Sequence, residues 1–336
     1  MDPVDPIALA RLLIDIDSTT GAEGEAGRAL AAFLRGRGYS VLEQPVIGDR
    51  SNMIAAAGEP ALVFSTHIDC VPPFFPSRLE DGVLYGRGAC DAKGILAAQV
   101  AAAERLRARG ETRIGLVFVA GEERGSEGAL AANRIASQSR YLINGEPTDN
   151  RLGAATRGVL RVRLRTTGVA AHSGYPSLGR SAIEALVDVL VDLRAAPWPD
   201  DQVLGRTHYT VGLIAGGVAP NVIPAEATAE ILFRTVGEHD AVRRVLAATA
   251  AGRAEIHEVL EVPAVQLETR DGFESAVFAY TTDIPLLTSW GTPLLLGPGS
   301  IHVAHTDHEH VKVDELVAAV DLYEQLATML LAELEK

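Results

Sequence analysis

Apolar residues recur along this chain in two rhythms. At helical spacing they mark Pro6–Ile16 and Gly24–Gly36. Short unbroken apolar runs at Asn52–Ala57, Ala61–Ser65, Thr112–Ala120 and Tyr141–Asn144 predict buried strands. Between them Gly94–Arg109 is an Ala-rich helix closed by Gly110. Strands alternating with helices predict an α/β layered domain with a largely parallel sheet.

The rhythm changes at Val159. Val159–Thr166 alternates apolar and polar residues, as a half-exposed strand does. An amphipathic helix at Ala182–Ala195 follows, then strands at Thr207–Ile214 and Ala225–Thr235, a helix at His239–Ala251 and a strand at Glu255–Val265. This βαββαβ order predicts a ferredoxin-like sandwich. Its edge strands are open, and pairing with a second copy is one way to cover them. After about Asp271 the first rhythm returns, with a buried strand in TPLLLGPG and a terminal helix at Asp314–Glu335. The expected architecture is one α/β domain, 1–157 and 267–336, interrupted by a smaller α+β domain at 158–266.

Composition narrows the function. The 336 residues are 47% hydrophobic and 22% charged, enough apolar material for a sizeable core. A net charge of −14 argues against nucleic acid and anionic membranes as partners. No run spans a bilayer, and the first residues lack the basic, apolar pattern of a secretory leader, so a cytoplasmic location is expected. Two cysteines, Cys70 and Cys90, make no disulfide framework.

The chemistry gathers where the buried strands end. In ALVFSTHIDC, His67 and Asp69 are two apart and face the same way in extended geometry, so the histidine can bind a metal while the aspartate supports it. A capping Asp beside a satisfied His has the same signature. Asp91 lies between glycine-rich turns and a helix, where a helix cap competes as its role. Glu122 and Glu123 are adjacent acids at a strand end, which repel unless a cation separates them, one is protonated, or solvent screens them. Glu146 follows another strand. The segment GPGSIHVAHTDHEHV offers His302, His305, His308 and His310, and spacing does not select among them. Acids and histidines at successive strand ends mark the ligand edge of an open α/β sheet. The mixture favours zinc or a similar ion, and the excess of carboxylates favours two bridged ions.

The ordered set HID, GRGACDAKG, GEERGSEG, GEPT, AAHSGYP, NVIPAE and GPGSIHVAHTDHE resembles the M20 metallopeptidase family over nearly the whole chain. The resemblance implies a zinc-exopeptidase-like catalytic domain with an inserted dimerisation domain or lid, hence a homodimer. It implies two Zn²⁺, with Co²⁺ or Mn²⁺ as substitutes. His67 and Glu146 would hold one ion, Glu123 and His305 the other, and Asp91 would bridge them. Asp69 would orient His67, and Glu122 would be the general base. His172 would reach into the partner's active site as an oxyanion donor. Asn221 and Arg234, with Arg157 helping, would contact the substrate's carboxylate or reacting carbonyl. Ile95 stands where many members have a second glycine, and Cys90 precedes the bridging Asp91; neither removes a ligand.

The resemblance implies amide hydrolysis of a small N-acyl amino acid. Acetylornithine deacetylation in arginine biosynthesis is the first expectation. Succinyl-diaminopimelate desuccinylase, a carrier-protein lysine or ornithine hydrolase, and a dipeptidase are the alternatives. A carrier-protein substrate gains no support from the acidic net charge. A non-catalytic metal-binding homologue is the reading from another class, and the intact Glu122 and Asp69 oppose it.

Overall fold

The computed structural model describes residues 2–335 and divides into two compact units. The first runs to Ala154 and includes Leu267–Ala276 and the chain from Thr282 onward. The second is Ala155–Gln266 with Val277–Thr281, so it starts before residue 158 and takes in a later return of the chain. Backbone pairing explains both additions. Thr156 pairs with Val265, Ala155 pairs with Gln266, and the Arg157 N–H donates to the Phe278 carbonyl.

The first unit is built on a six-stranded mixed sheet. Its order is Ser40–Ile47, Arg50–Ala56, Ile114–Val119, Leu62–His67, Tyr141–Asn144, Thr292–Leu295. The last four run parallel, and the first two form an antiparallel hairpin on one edge. Leu62–His67 and Ile114–Val119 are buried along their whole length, as strands covered on both faces are. The Ser40–Ile47 strand was not expected from the pattern. It is an edge strand with half its residues exposed and Pro45 inside it, so its apolar signal is thin.

Helices pack on this sheet. Asp5 caps Pro6–Ile14 by accepting from the Ile7 and Ala8 N–H groups, and Pro6 occupies the first turn where its missing donor costs nothing. Lys93–Ala108 is buried on nearly every side, which its alanines permit by letting neighbouring elements approach closely. Val313–Glu333 contributes Leu316, Val320, Tyr323 and Leu330 to the same core. A small sheet of Arg78–Glu80, Val83–Tyr85 and His310–Lys312 sits apart, pairing Tyr85 with His310. No sequence rhythm announced it, because three-residue strands carry almost no periodicity.

The second unit is a four-stranded antiparallel sheet in the order His208–Gly216, Glu226–Thr235, Gly158–Thr167, Glu255–Val262. Helices Ala182–Ala195 and His239–Ala250 supply Leu186, Val189, Leu193, Val242 and Leu246 to its core, against Leu160, Val162, Ile231 and Phe233. No helix among the described residues is long and apolar enough to cross a membrane.

Candidate metal centre

Three parallel strands end on the same side and deliver acids and a histidine there. His67 is the last residue of Leu62–His67. Glu122 and Glu123 follow Ile114–Val119, and Glu146 follows Tyr141–Asn144. Asp91 arrives on the glycine-rich loop before the Lys93–Ala108 helix. His305 comes from the long loop after Thr292–Leu295, in a left-handed conformation with φ of 63°. A histidine there is uncommon, and the surrounding structure must hold it in place.

Their ligand atoms converge. One ligand atom each from His67, Asp91 and Glu123 lies within 4.8 Å of the others. Asp91 stands between two imidazoles: Oδ1 is 2.9 Å from His67 Nε2, and Oδ2 is 3.2 Å from His305 Nε2. His305 Nε2 is also 3.0 Å from Glu123 Oε1. Two ligands on one tetrahedral ion with bonds near 2 Å sit about 3.3 Å apart, so these separations suit shared coordination. Glu146 is buried, and its Oε1 meets no hydrogen-bond partner. A buried carboxylate oxygen without a partner is costly unless a cation completes it. The donor set of two imidazoles and three carboxylates therefore fits divalent metal.

The electrostatics point the same way. Burial alone would raise Asp91, but hydrogen bonds to His305 and His67 hold it well below the usual carboxylate range. The carboxylates of Asp91 and Glu123 push His305 up to about 10. Burial, reinforced by Glu146, raises Glu122 well above an ordinary glutamate, and burial likewise raises Glu146. Carboxylates this crowded and desolvated are strained without positive charge among them.

Asp69 meets both His67 and the acidic loop. The His67 Nδ1–H donates to the Asp69 backbone carbonyl at 2.9 Å, while the Asp69 carboxylate lies 3.5 Å from that nitrogen. With Nδ1 fixed as a donor to the backbone, Nε2 is the nitrogen aimed at Asp91, and it is the one that would give up its proton to a metal. The carboxylate instead grips the acidic loop. Oδ1 accepts the Gly121 and Glu122 N–H groups, each at 3.0 Å, and Oδ2 accepts the Glu123 N–H at 3.2 Å and the Thr20 hydroxyl at 2.8 Å.

The remaining candidates lie in the second unit. His172 and Asn221 are on neighbouring loops, joined by the His172–Val222 bridge and a Ser173 N–H to Asn221 carbonyl bond of 3.0 Å. His172 is exposed, and its Nδ1 accepts the Gly174 N–H, so the proton resides on Nε2, which is free to donate. Arg157 donates to the Arg206 carbonyl and, at 2.6 Å, to His208 Nδ1. Arg234 is half-buried, directly across the strand pair from His208, and its charge meets no carboxylate among the described residues. His308 and His310 lie outside the ligand cluster; His310 Nδ1 bonds the His308 carbonyl.

Sequence reasoning passed over three buried groups beside this centre: Arg87, Asp283 and Glu309. Glu309 is the last residue of the His305 motif and Arg87 lies inside GRGACDAKG, so both stood within noted motifs without being assigned a role, whereas Asp283 sits in a segment with no distinguishing pattern.

Residues 63–329 match the sequence model of Peptidase family M20/M25/M40. A probable carboxypeptidase of Aspergillus terreus is 38% identical over 95% of this chain and 85% of its own length. Among solved structures, a Staphylococcus aureus tripeptidase shares the fold with a TM-score of 0.79 at 19% identity, covering 96% of this chain and 98% of its own. A Bacillus subtilis dinuclear metal-binding peptidase of the M20 family shares it with a TM-score of 0.72 at 18% identity, covering 97% and 98%.

Proposed function

This chain belongs to the M20/M25/M40 peptidase family and is a hydrolase of that family, and from that premise we propose that it cleaves the amide bond of a short peptide or N-acyl amino acid carrying a free carboxylate. The single observation that carries this reading is Asp91 between His67 and His305, with Glu122 held at the rim by Asp69. A binding-only protein has no use for that glutamate.

His67 and Glu146 would hold one ion and His305 and Glu123 the other, with Asp91 shared between them; zinc is the metal this donor set favours, with Co²⁺ or Mn²⁺ able to replace it. Such ions, when bound, polarise the amide carbonyl and make water acidic enough to attack near neutral pH. Glu122 takes the proton of the attacking water and returns it to the leaving amine. His172, acting from a second copy of the chain, donates its Nε2–H to the developing oxyanion. Asn221 contacts the reacting carbonyl. Arg234, a half-buried guanidinium without a carboxylate partner, receives the substrate carboxylate, with Arg157 beside it.

The homodimer forms through the second unit. Its two sheet edges differ in kind. Glu255–Val262 is studded with charge, and Arg243 and Arg165 bind its Glu258 and Glu255. His208–Gly216 instead exposes Leu213 at 65% and Ile214 at 59%. Natural edges are blunted by charge, so the apolar one is the edge that takes a partner.

The name of the Aspergillus relative favours carboxypeptidase-like substrates. Acetylornithine deacetylation is the second reading, favoured by the GTPLLLGPGSIHVAHT stretch. A panel of dipeptides, N-acyl neutral amino acids, N-acetylornithine and N-succinyl-diaminopimelate, read by amine release with a chelator control, separates the two. Chelator-sensitive release from peptides supports the first, and release from N-acetylornithine alone supports the second. No release from a protein loaded with two zincs overturns both.

A further inference from the structure

Glu309 is fully buried and belongs to no metal-ligand set. Its side chain is nevertheless among the most heavily hydrogen-bonded in the first unit. Oε1 accepts three backbone N–H groups, from Gly88 at 2.9 Å, Cys90 at 3.1 Å and Asp91 at 3.0 Å. Oε2 accepts Arg87 Nη1 at 2.6 Å. The Glu309 carbonyl accepts the Gly86 N–H at 3.2 Å. Successive N–H groups curled round one oxygen form an anion nest, here built inside the protein for a side chain of the protein itself.

Arg87 is equally buried and spreads the connection. Its Nε donates to the Pro73 carbonyl at 3.1 Å, and its guanidinium lies 5.0 Å over the Phe75 ring. The pairing of His310–Lys312 with Val83–Tyr85 brings the two distant segments alongside each other. Glu309 then pins the end of one to the loop of the other.

The consequence falls on the metal centre. The Asp91 backbone is held by its own N–H on Glu309, and His305 is only four residues before Glu309 in the chain. Asp91 and His305 are 214 positions apart in sequence, yet one carboxylate anchors both. His305 itself holds a positive φ of 63°, a conformation that surrounding structure has to maintain.

We propose that Glu309, charge-balanced by Arg87, is a positioning residue that sets the spacing between the bridging Asp91 and His305, and so sets the affinity of the ion those two share. This inference rests on the metal-centre reading above. Glu309 touches no substrate; it acts through the Asp91 loop. Outer groups that orient metal ligands typically change affinity about 10–100-fold when lost.

The test is zinc titration of the metal-stripped, full-length protein against a chromophoric chelator. Glu309→Gln keeps an acceptor for the nest but leaves Arg87 unpaired. Arg87→Met with Glu309→Gln keeps the acceptor and strands no charge, so it covers the case in which the single variant does not fold. A third variant, Glu309→Ala with Arg87→Met, removes the nest acceptor, also without stranding a charge. The expected result is wild-type binding of two ions, weakening of one ion by tenfold or more in the nest-deleting pair, and substantial recovery in the nest-keeping pair. Wild-type affinity for both ions in the folded nest-deleting pair overturns the inference while leaving the metal centre intact. Equal weakening in the two double variants also overturns it, by showing that charge rather than the nest matters. A wild-type protein that binds no zinc instead overturns the metal-centre reading beneath it.

Discussion

The Glu122 N–H donates to Asp69 Oδ1 at 3.0 Å, so the residue expected to serve a histidine also sets the position of the proposed base. Asp69 is fully buried, and all three N–H groups of Gly121, Glu122 and Glu123 end on its carboxylate. An ionised acceptor makes such bonds roughly twice as strong as neutral ones. Asp69→Asn turns one oxygen into a donor facing an N–H or a hydroxyl. Turnover should fall about 10–100-fold with secondary structure unchanged. Steady-state kinetics beside circular dichroism checks this, and wild-type kcat would remove Asp69 from the positioning of the loop.

Glu122→Ala should lower kcat by about 10²–10⁴-fold, the usual worth of a positioned acid–base group. It should retain metal, because the proposed ligand set of His67, Asp91, Glu123, Glu146 and His305 does not include Glu122. Metal content per chain and kcat measured on the same preparation decide the point; loss of both ions with activity would make Glu122 a ligand instead.

Metal removal should destabilise the first unit. The crowded Glu122, Glu123 and Glu146 are all raised by burial and by the charge of neighbouring acids, Asp91 among them for Glu123 and Glu146. An ion at a hundred times its dissociation constant adds about 2.7 kcal/mol by mass action. Chelated protein should therefore melt several degrees lower and recover on adding zinc, as differential scanning fluorimetry would show. An unchanged melting temperature argues that no ion binds the folded state.

Asp283 gives a pH dependence. It is fully buried, its oxygens meet no hydrogen-bond partner, and burial raises its carboxyl from 3.8 to about 6, with the Ser126 hydroxyl close enough only to ease the charge. A raised folded value means the neutral form is favoured by folding. Its contribution is fully present below 3.8 and disappears as the pH rises through 6. In metal-free protein Asp283→Asn should be nearly neutral at pH 4 and stabilising above pH 6, by about 3 kcal/mol at most. Denaturant unfolding at both pH values tests the sign; stabilisation that is equal at the two would deny the titration.

Leu213→Lys with Ile214→Glu should leave the chain monomeric in light scattering and depress kcat, because His172 would lose the partner site it is proposed to serve. A charge placed at Val259, on the opposite edge, should change neither. A wild-type monomer with full activity would defeat the role of the second copy.

How much was legible follows from how local each signal was. The βαββαβ unit was visible because each of its elements is long enough to show a period; Val159–Thr166 alternates within itself. The candidate ligands His67, Asp91, Glu123 and Glu146 stood out because buried strands and a glycine-rich loop mark their ends. Arg87 was not, since an arginine between two glycines is ordinary until Glu309, 222 positions away, is seen to bind it. Ser40–Ile47 was missed because an exposed edge with a proline carries little hydrophobic contrast.

By itself, the sequence determined the identity and order of the chemical groups and the class of layer that would carry them, since strand burial and helix periodicity are written in neighbouring residues. Only the tertiary structure decided which oxygen faces which nitrogen. That Asp69 serves His67 through its carbonyl and the acidic loop through its carboxylate, and that Glu309 ties Asp91 to the His305 segment, depend on strand pairings between distant segments. A hydrogen bond is selective to a few tenths of an ångström, and no pattern of residue types along a chain fixes distances that small.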